Sequence, residues 1–352
     1  MTSAKQKVGI FTLTHALNYG AFYQMYAMTR FFEKSGYDVT VFDCQRTLKY
    51  KVLRLFSYNP DRQVRKIILH RKYKNDRAVI RIRPYENEKL DFAILGSDEI
   101  WNLENRSFEH SPEYVGLGIS ARSIIAYAPS IGYAAPENLI ADEDFKKGLR
   151  RADGILARDQ ETRNVAERVT GRSISEVIDP TILFNSWDEM LSDRTKPDED
   201  YILYYGYTGE PWFKDALIDF AKEKGLKIYT AGFRKHDWCD KNLLAGPREF
   251  LDLMQNAKYV FTNTFHGLVM AVLLDKSLCY SSPMQKIKDF SEKIGINADA
   301  LTESSGRIEV EASLGRDRSE RNQRIRELGA ASQKLLLDMM DDAARKPAVN
   351  ER

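Results

Sequence analysis

The feature that most constrains the fold of this chain is an alternation of strand and helix patterns, which begins at residue 8. Residues 8–13 form a short apolar run of the kind found in buried parallel strands. A turn at residues 15–20 leads into a helix pattern, and Gly36 is typical of the residue that follows a helix. Residues 38–43 form a second strand pattern. Strand, helix and strand at this spacing predict a βαβ unit with a parallel sheet.

The same alternation continues along the chain and is interrupted once, by a polar stretch at residues 185–200. We therefore predict an α/β fold with two Rossmann-like domains facing across a cleft, in the manner of glycosyltransferase-B enzymes. The first domain is predicted at residues 1–190 and the second at residues 200–315. A C-terminal helix and tail are predicted at residues 316–352.

Composition excludes several classes of protein. The chain has 352 residues and a formal net charge of +2, which argues against a dedicated nucleic-acid binder. It has no apolar run of about 18 residues and no signal-peptide pattern, so we expect a cytoplasmic protein. The three cysteines are scattered and form no CxxC pair, which favours free thiols.

Three loops follow predicted strands, where ligands bind in open α/β sheets. They are Asn18-Tyr19-Gly20, the segment from Gly96 to Asn102 that contains Ser97, Asp98 and Trp101, and the segment from Thr262 to Gly267 that contains Asn263, Thr264, Phe265 and His266. Each loop mixes glycine, short polar side chains and an aromatic residue. Structural alternatives are that the first loop is only a tight turn, and that Ser97 and Asp98 cap a helix with Trp101 in the core.

His266 is the strongest catalytic candidate among the five histidines. It lies in a predicted first helical turn, where the helix dipole disfavours a protonated ring and a neutral imidazole can accept a proton. The alternative is a structural histidine that hydrogen-bonds the loop. His15 is interpreted as a loop residue and His236 as a surface residue. No close spacing of histidines or carboxylates predicts a metal site.

Arg158 follows a predicted strand and is the candidate anion-binding residue. A guanidinium there can hold a carboxylate or phosphate through two hydrogen bonds. Alternatively, Arg158 pairs with Asp159 or Asp179 and only stabilises the loop. The sequence has no P-loop, dinucleotide-binding or nucleophile-elbow motif.

Taken in order, these segments resemble the polysaccharide pyruvyl transferase family. The resemblance extends over residues 7–295 and rests on the three loops above together with Ala157-Arg158-Asp159, Asp179-Pro180-Thr181 and the segment from Gly246 to Leu251. Three positions depart from the family pattern and leave the acceptor sugar in doubt. These are Ala157, Leu268 and Lys286.

The resemblance implies transfer of an enolpyruvyl unit from phosphoenolpyruvate to a sugar of a surface-polysaccharide or lipid-linked precursor. The product is a cyclic pyruvate ketal and phosphate is released, with no metal and no other cofactor. It implies His266 and Arg158 as catalytic residues. The donor-binding residues would be Arg158, Asn263, Thr264, Phe265, Gly267 and Lys286. The acceptor-binding residues would be Asn18, Tyr19, Gly20, Ser97, Asp98 and Trp101.

Residues 46–90 carry 14 Lys and Arg against 4 Asp and Glu, interleaved with apolar residues. Since acceptors in the resembled family are often lipid-linked, this segment is a candidate for peripheral contact with an anionic membrane face. The alternative is a solvated pair of surface helices. Two other functions stay open, a nucleotide-sugar glycosyltransferase of the same architecture and a non-catalytic saccharide-binding relative.

Overall fold

We describe the fold from a computed structural model. The structure describes residues 5–44, 59–184, 186–192, 197–207 and 210–345.

Strands and helices alternate along the described residues. The strands are β1 (Lys7–Phe11), β2 (Asp38–Asp43), β3 (Ile82–Pro84), β4 (Leu90–Leu95), β5 (Ala121–Tyr127), β6 (Gly154–Ala157), β7 (Ser175–Glu176), β8 (Tyr201–Tyr205), β9 (Lys227–Ala231), β10 (Lys241–Leu243), β11 (Tyr259–Thr262) and β12 (Leu278–Tyr280). The helices are α1 (Tyr19–Lys34), α2 (Pro60–Arg77), α3 (Pro136–Ala141), α4 (Glu143–Arg151), α5 (Gln160–Thr170), α6 (Pro211–Lys224), α7 (Pro247–Asn256), α8 (Phe265–Leu273), α9 (Gln285–Lys293), α10 (Arg307–Leu314) and α11 (Ser319–Arg345).

Contacts divide the chain into two compact units. Of the described residues, unit 1 contains those at 5–44, 77–184 and 328–345, and unit 2 contains those at 59–76 and between 186 and 327. The predicted linker at residues 185–200 thus begins where unit 2 resumes. Two segments group differently from the predicted domains, because most of α2 packs in unit 2 and the larger part of α11 packs in unit 1.

Unit 1 contains a seven-stranded sheet in the order β3-β2-β1-β4-β5-β6-β7, with every pairing parallel. Its central strands are buried on both faces along most of their length, as their mainly apolar sequences predict. The strand order reverses direction between β1 and β4. In such sheets the carboxyl ends beside the reversal form the ligand-binding position.

Unit 2 contains a five-stranded parallel sheet in the order β10-β9-β8-β11-β12. Its strand order reverses between β8 and β11, so this sheet repeats the arrangement of the first on a smaller scale. The predicted α/β class, with parallel sheets in two units and a C-terminal helix, is confirmed.

The basic helix α2 is attached to unit 2 by its charged residues. Arg65 is buried and donates to the carbonyl oxygens of Gly232, Phe233 and Arg234 over 3.1–3.4 Å. The Lys72 ammonium pairs with the carboxylate of Glu249. At least two of the cations in this helix therefore have a structural role.

The C-terminal half of α11 completes the core of unit 1. Leu336 and Met340 are fully buried. The Ser332 hydroxyl accepts a hydrogen bond from the Ile178 amide at 3.0 Å, and Gln333 donates to the Leu183 carbonyl at 2.7 Å. The helix therefore packs along the end of the segment that leaves β7.

Candidate functional site

The turn between β11 and α8 lies at the strand-order reversal of the unit 2 sheet. Thr264 ends the extended backbone and caps α8, because its hydroxyl accepts a hydrogen bond from the Gly267 amide at 3.1 Å. A Cβ atom on Gly267 would lie 2.1 Å from Thr262 Oγ1. Glycine is therefore required for the helix to begin this close to the strand.

Asn263 connects this turn to the loop that follows β8. Its side-chain Oδ1 accepts a hydrogen bond from the Tyr207 backbone amide at 2.7 Å, and its side-chain Nδ2 donates to Glu210 Oε2 at 3.0 Å. The Ser281 hydroxyl donates to the same Glu210 oxygen at 2.6 Å. Asn263 is buried. Through these hydrogen bonds, Asn263 and Glu210 connect three loops at the carboxyl edge of the sheet. Sequence reasoning missed Glu210 and Ser281, which lie outside the recognised motifs.

Three of the predicted donor-side residues lie together in the first turn of α8 and beside it. His266 is half-buried, and its ring contacts the Phe265 ring edge-to-face at 5.0 Å. Phe265 packs against Phe290 of α9, and Lys286 Nζ lies 6.0 Å from the Phe265 ring. One imidazole and one ammonium are thus held near the amides at the start of a helix, a position that favours anions.

The loop after β9 brings further side chains to the same edge of unit 2. The Arg234 guanidinium lies 4.6 Å from the ring of Tyr207, which is 41% exposed. His236 is buried against Tyr204 and Trp238. The prediction of a surface position for His236 is therefore wrong, because its polar neighbours in sequence do not reveal these ring contacts. Burial, with the Arg234 charge beside it, lowers the pKa of His236.

Arg158 follows β6 at the carboxyl edge of the unit 1 sheet. Its guanidinium Nη1 lies 3.7 Å from Asp179 Oδ2, and both side chains are almost fully buried. Asp179 also accepts from Gln24 Nε2 at 2.6 Å and from the Thr181 hydroxyl at 2.7 Å. The pairing with Asp179 that the sequence left open is therefore present, and it orients the guanidinium. Asp159 instead caps α5.

The Asn18-Tyr19-Gly20 segment forms the start of α1. Asn18 is exposed. Its Oδ1 atom accepts a hydrogen bond from the Gly20 amide at 2.8 Å, as the side chain of a helix-capping residue does. Tyr19 and Gly20 are buried, and the Tyr19 ring stacks near Tyr23. Of the three predicted acceptor residues, Asn18 is therefore the one whose side chain is accessible.

The Ser97–Asn102 loop lies beside β1, at the reversal of the unit 1 sheet. Thr12 Oγ1 donates to the Ser97 carbonyl at 3.3 Å. Trp101 is 1% exposed, donates from its indole to the Tyr114 carbonyl and packs edge-to-face on Phe145. Its indole is therefore in the core and unavailable for stacking on a sugar, and Ser97 is also buried. Asp98 is half-buried and remains the accessible predicted residue of this loop.

Within the described ranges, no cluster of three or more His, Cys, Asp or Glu side chains is arranged to bind a metal ion. Nor does any helix in those ranges combine the length and apolar character needed to cross a membrane. Cys44, Cys239 and Cys279 are free and buried. Burial raises the thiol pKa of Cys239 and of Cys279 to about 12, so neither is a ready nucleophile.

Solved structures with similar folds include sugar-nucleotide enzymes. UDP-GlcNAc 2-epimerase from Neisseria meningitidis has 9% identity and a TM-score of 0.54, covering 96% of this chain and 99% of its own. The Methanocaldococcus jannaschii UDP-GlcNAc 2-epimerase has 10% identity and a TM-score of 0.52, covering 95% and 100%. An α-glucosyltransferase in complex with UDP and DNA has 11% identity and a TM-score of 0.56, covering 96% and 100%. At these identities the likeness concerns the fold.

The sequence comparisons are more specific about family. No curated protein matches the chain. The profile of the polysaccharide pyruvyl transferase family matches residues 18–278, which include the cap of α1, Arg158 and the whole β11–α8 turn. The chain therefore belongs to the polysaccharide pyruvyl transferase family, a family of transferases.

Proposed function

We propose that this protein transfers an enolpyruvyl unit from phosphoenolpyruvate to a saccharide precursor of a surface polysaccharide or exopolysaccharide. The single observation that carries the proposal is the first turn of α8, where His266 and Lys286 lie close to a shared phenylalanine ring. Phosphoenolpyruvate is small and strongly anionic, so an ammonium and helix-start amides suit its phosphate or carboxylate.

We propose His266 as the group that moves the proton at the methylene carbon of the donor. Protonation there makes the adjacent carbon electrophilic, a sugar hydroxyl adds to that carbon and phosphate leaves. A positioned acid or base of this kind contributes about 10²–10⁴-fold to a rate. Arg158, oriented by Asp179, is proposed to bind an anionic group of the donor. Phosphoenolpyruvate enters as a substrate, and the proposed reaction uses no metal or other cofactor.

On the acceptor side we propose Asn18 and Asp98 as the residues that contact the sugar. Both lie at the carboxyl edge of the unit 1 sheet, and both expose part of their side chains. The amide of Asn18 and the carboxylate of Asp98 provide a donor and an acceptor for sugar hydroxyls. Neighbouring Ser97 and Trp101 support the loop from the core.

The test is incubation of the protein with phosphoenolpyruvate and candidate glycans, followed by mass spectrometry and a phosphate assay. We expect a glycan mass gain equal to phosphoenolpyruvic acid minus phosphoric acid, with phosphate released only when an acceptor is present. His266→Gln should reduce turnover by about 10²-fold or more. Arg158→Gln should raise the KM for phosphoenolpyruvate. His110→Gln, at an exposed histidine, is the matched control.

Either of two results would contradict the proposal and indicate a different function. Transfer of a hexose from a nucleotide sugar, with thermal stabilisation by a nucleoside diphosphate and none by phosphoenolpyruvate, would indicate a glycosyltransferase. Saccharide binding without turnover, unchanged in His266→Gln, would indicate a non-catalytic relative.

We further propose that the protein works in the cytoplasm and touches an anionic membrane face through α2. Val64, Ile67 and Ile68 project from the exposed face of this helix and are 56%, 58% and 36% exposed. Arg71 and Lys74 follow on the same face and are exposed. Apolar side chains beside cations are the combination that binds the surface of anionic bilayers.

Co-sedimentation with vesicles measures this contact. We expect binding to vesicles that contain phosphatidylglycerol, little binding to pure phosphatidylcholine, and loss of binding in Ile67→Glu. Ile308→Glu is the control, because Ile308 is 79% exposed on α10, outside this face. Equal sedimentation of both variants would show that α2 is not the contact.

A further inference from the structure

An imidazole and a carboxylate form a pair at the carboxyl edge of the unit 1 sheet, and neither belongs to the proposed donor or acceptor residues. His15 Nε2 lies 2.7 Å from Asp43 Oδ2. Asp43 is the last residue of β2, and His15 lies in the loop after β1, which pairs with β2 in parallel register. The side chains of His15 and Asp43 are 31% and 16% exposed. The pair is therefore mostly surrounded by protein, and part of it is accessible to solutes.

The loop that carries His15 is fixed at several points. The Thr14 hydroxyl donates to the other carboxylate oxygen of Asp43 at 3.0 Å. Arg77 donates to the Ala16 carbonyl at 3.0 Å, and Thr12 donates to the Ser97 carbonyl at 3.3 Å. Asn18 then caps α1. The imidazole is thereby held in place on a loop that touches the predicted acceptor loop at Ser97.

Two other carboxylates at this edge, those of Asp159 and Asp179, are occupied by structural hydrogen bonds. Asp159 accepts from the Thr162 amide and the Ser130 hydroxyl, both at 2.8 Å. Asp179 is buried and accepts from Gln24 while facing Arg158. His15 differs from these groups, because an imidazole can act as a general base through one ring nitrogen while the other is held by a hydrogen bond.

We propose that His15 is the base that takes the proton of the attacking acceptor hydroxyl, with Asp43 as the residue that positions it. The assignment rests on the proposed pyruvyl transfer. When Asp43 accepts from Nε2–H, the imidazole carries its lone pair on Nδ1. The carboxylate also stabilises the imidazolium that forms, as the buried aspartate does in catalytic triads.

The chemical step balances without any further reactant. The Nδ1 lone pair takes the hydroxyl proton while the hydroxyl oxygen forms a bond to C2 of the enolpyruvyl group. The electron pair of the C2=C3 bond takes a proton at C3 from His266, the proposed acid, and C3 becomes a methyl group. His266 recovers a proton from solvent, to which the His15 imidazolium releases the one it took. The bond from C2 to the phosphate oxygen then breaks and phosphate leaves with the electron pair. A second hydroxyl oxygen closes the ring at C2, and its proton ends on phosphate.

The test compares ketal formation by the full-length protein and by three variants. His15→Gln retains an amide that can donate to Asp43 and takes up no proton, so we expect kcat to fall at least about 100-fold. The melting temperature and its increase with phosphoenolpyruvate should be unchanged. Added imidazole should restore part of the activity of His15→Ala, which a purely structural role would not allow. His110→Ala is the control, since His110 is exposed and does not pair with Asp43.

Asp43 requires a separate pair of variants. Asp43→Asn should lower kcat with the KM for phosphoenolpyruvate unchanged, and Asp43→Glu should recover part of that loss. Wild-type kcat in Asp43→Asn would overturn the positioning role.

The remaining outcomes distinguish this proposal from the function on which it rests. If the wild type releases phosphate and forms a ketal while His15→Gln loses less than about 100-fold, the function stands and the assignment of His15 falls. If the wild type forms no ketal with any acceptor and phosphoenolpyruvate does not raise its melting temperature, both are overturned.

Discussion

At the scale of single residues, His236 shows how burial changes the behaviour of a side chain that looks exposed in the sequence. Its ring contacts Tyr204 and Trp238, and burial together with Arg234 lowers its pKa below the ordinary value of 6.5. The folded protein therefore binds this proton less readily than the unfolded chain does. Its contribution to stability is complete above the unfolded pKa and is lost as the pH falls through and below that value.

We therefore predict that His236→Phe reduces the loss of stability between about pH 7.5 and pH 5.5. Phenylalanine preserves the ring contacts and removes the titrating group. The measurement is the difference in melting temperature between the two pH values for wild type and variant. An unchanged difference would show that His236 is not the group responsible.

The predicted site residues also differ from one another in whether their side chains are exposed or buried. The sequence predicted the three loops, because apolar strands and turn residues reveal where strands end. It left open whether Trp101 lies in the core, and it did not predict that Tyr19 faces the core while Asn18 stays exposed. Burial depends on contacts with residues far along the chain, such as Phe145 for Trp101, and one sequence does not display those contacts.

At the scale of elements, α2 positions the loop after β9. The buried Arg65 guanidinium binds the carbonyls of Gly232, Phe233 and Arg234, and Arg234 in turn lies over Tyr207. A helix that is distant in sequence thus organises part of the carboxyl edge of the unit 2 sheet. The count of basic residues at 46–90 could not distinguish this buried arginine from the exposed ones.

We predict that Arg65→Met destabilises this loop by about 2–3 kcal/mol, because the three carbonyls lose a charged donor. Hydrogen–deuterium exchange of a peptide covering residues 231–236 measures the effect. Arg71→Met, at an exposed position of the same helix, should leave exchange unchanged. Equal exchange in the two variants would contradict the structural role of Arg65.

At the scale of the whole molecule, strand alternation in the sequence predicted the fold class but not the grouping of the terminal helix. Alternating strands and helices indicate parallel α/β architecture through local pattern alone. The assignment of residues 328–345 to unit 1 depends on contacts with residues far earlier in the chain. Leu336 and Met340 are fully buried, and Ser332 accepts a hydrogen bond from the Ile178 amide, 154 residues earlier. No local pattern encodes such a pairing.

We predict that a chain ending at residue 327 loses the stability of unit 1. Each buried Leu or Met side chain contributes about 1.5–3 kcal/mol, and the Ile178 amide would lose its acceptor. Exchange should accelerate in peptides of β5 and β6, while peptides of β8 and β11 should stay protected. A chain ending at residue 345 is the control, and equal acceleration in both units would contradict the assignment.

The division of unit 1 into three stretches of chain has a consequence for biosynthesis. A ribosome delivers residues 1–56 and 77–184 early, yet the helical segment that closes this core emerges only after all of unit 2 has been translated. Unit 2 lacks this delay, since its last stretch is continuous from residue 185 to residue 327. The core of unit 1 is therefore completed only after unit 2 has been translated, and the surface that Leu336 and Met340 cover stays exposed until then.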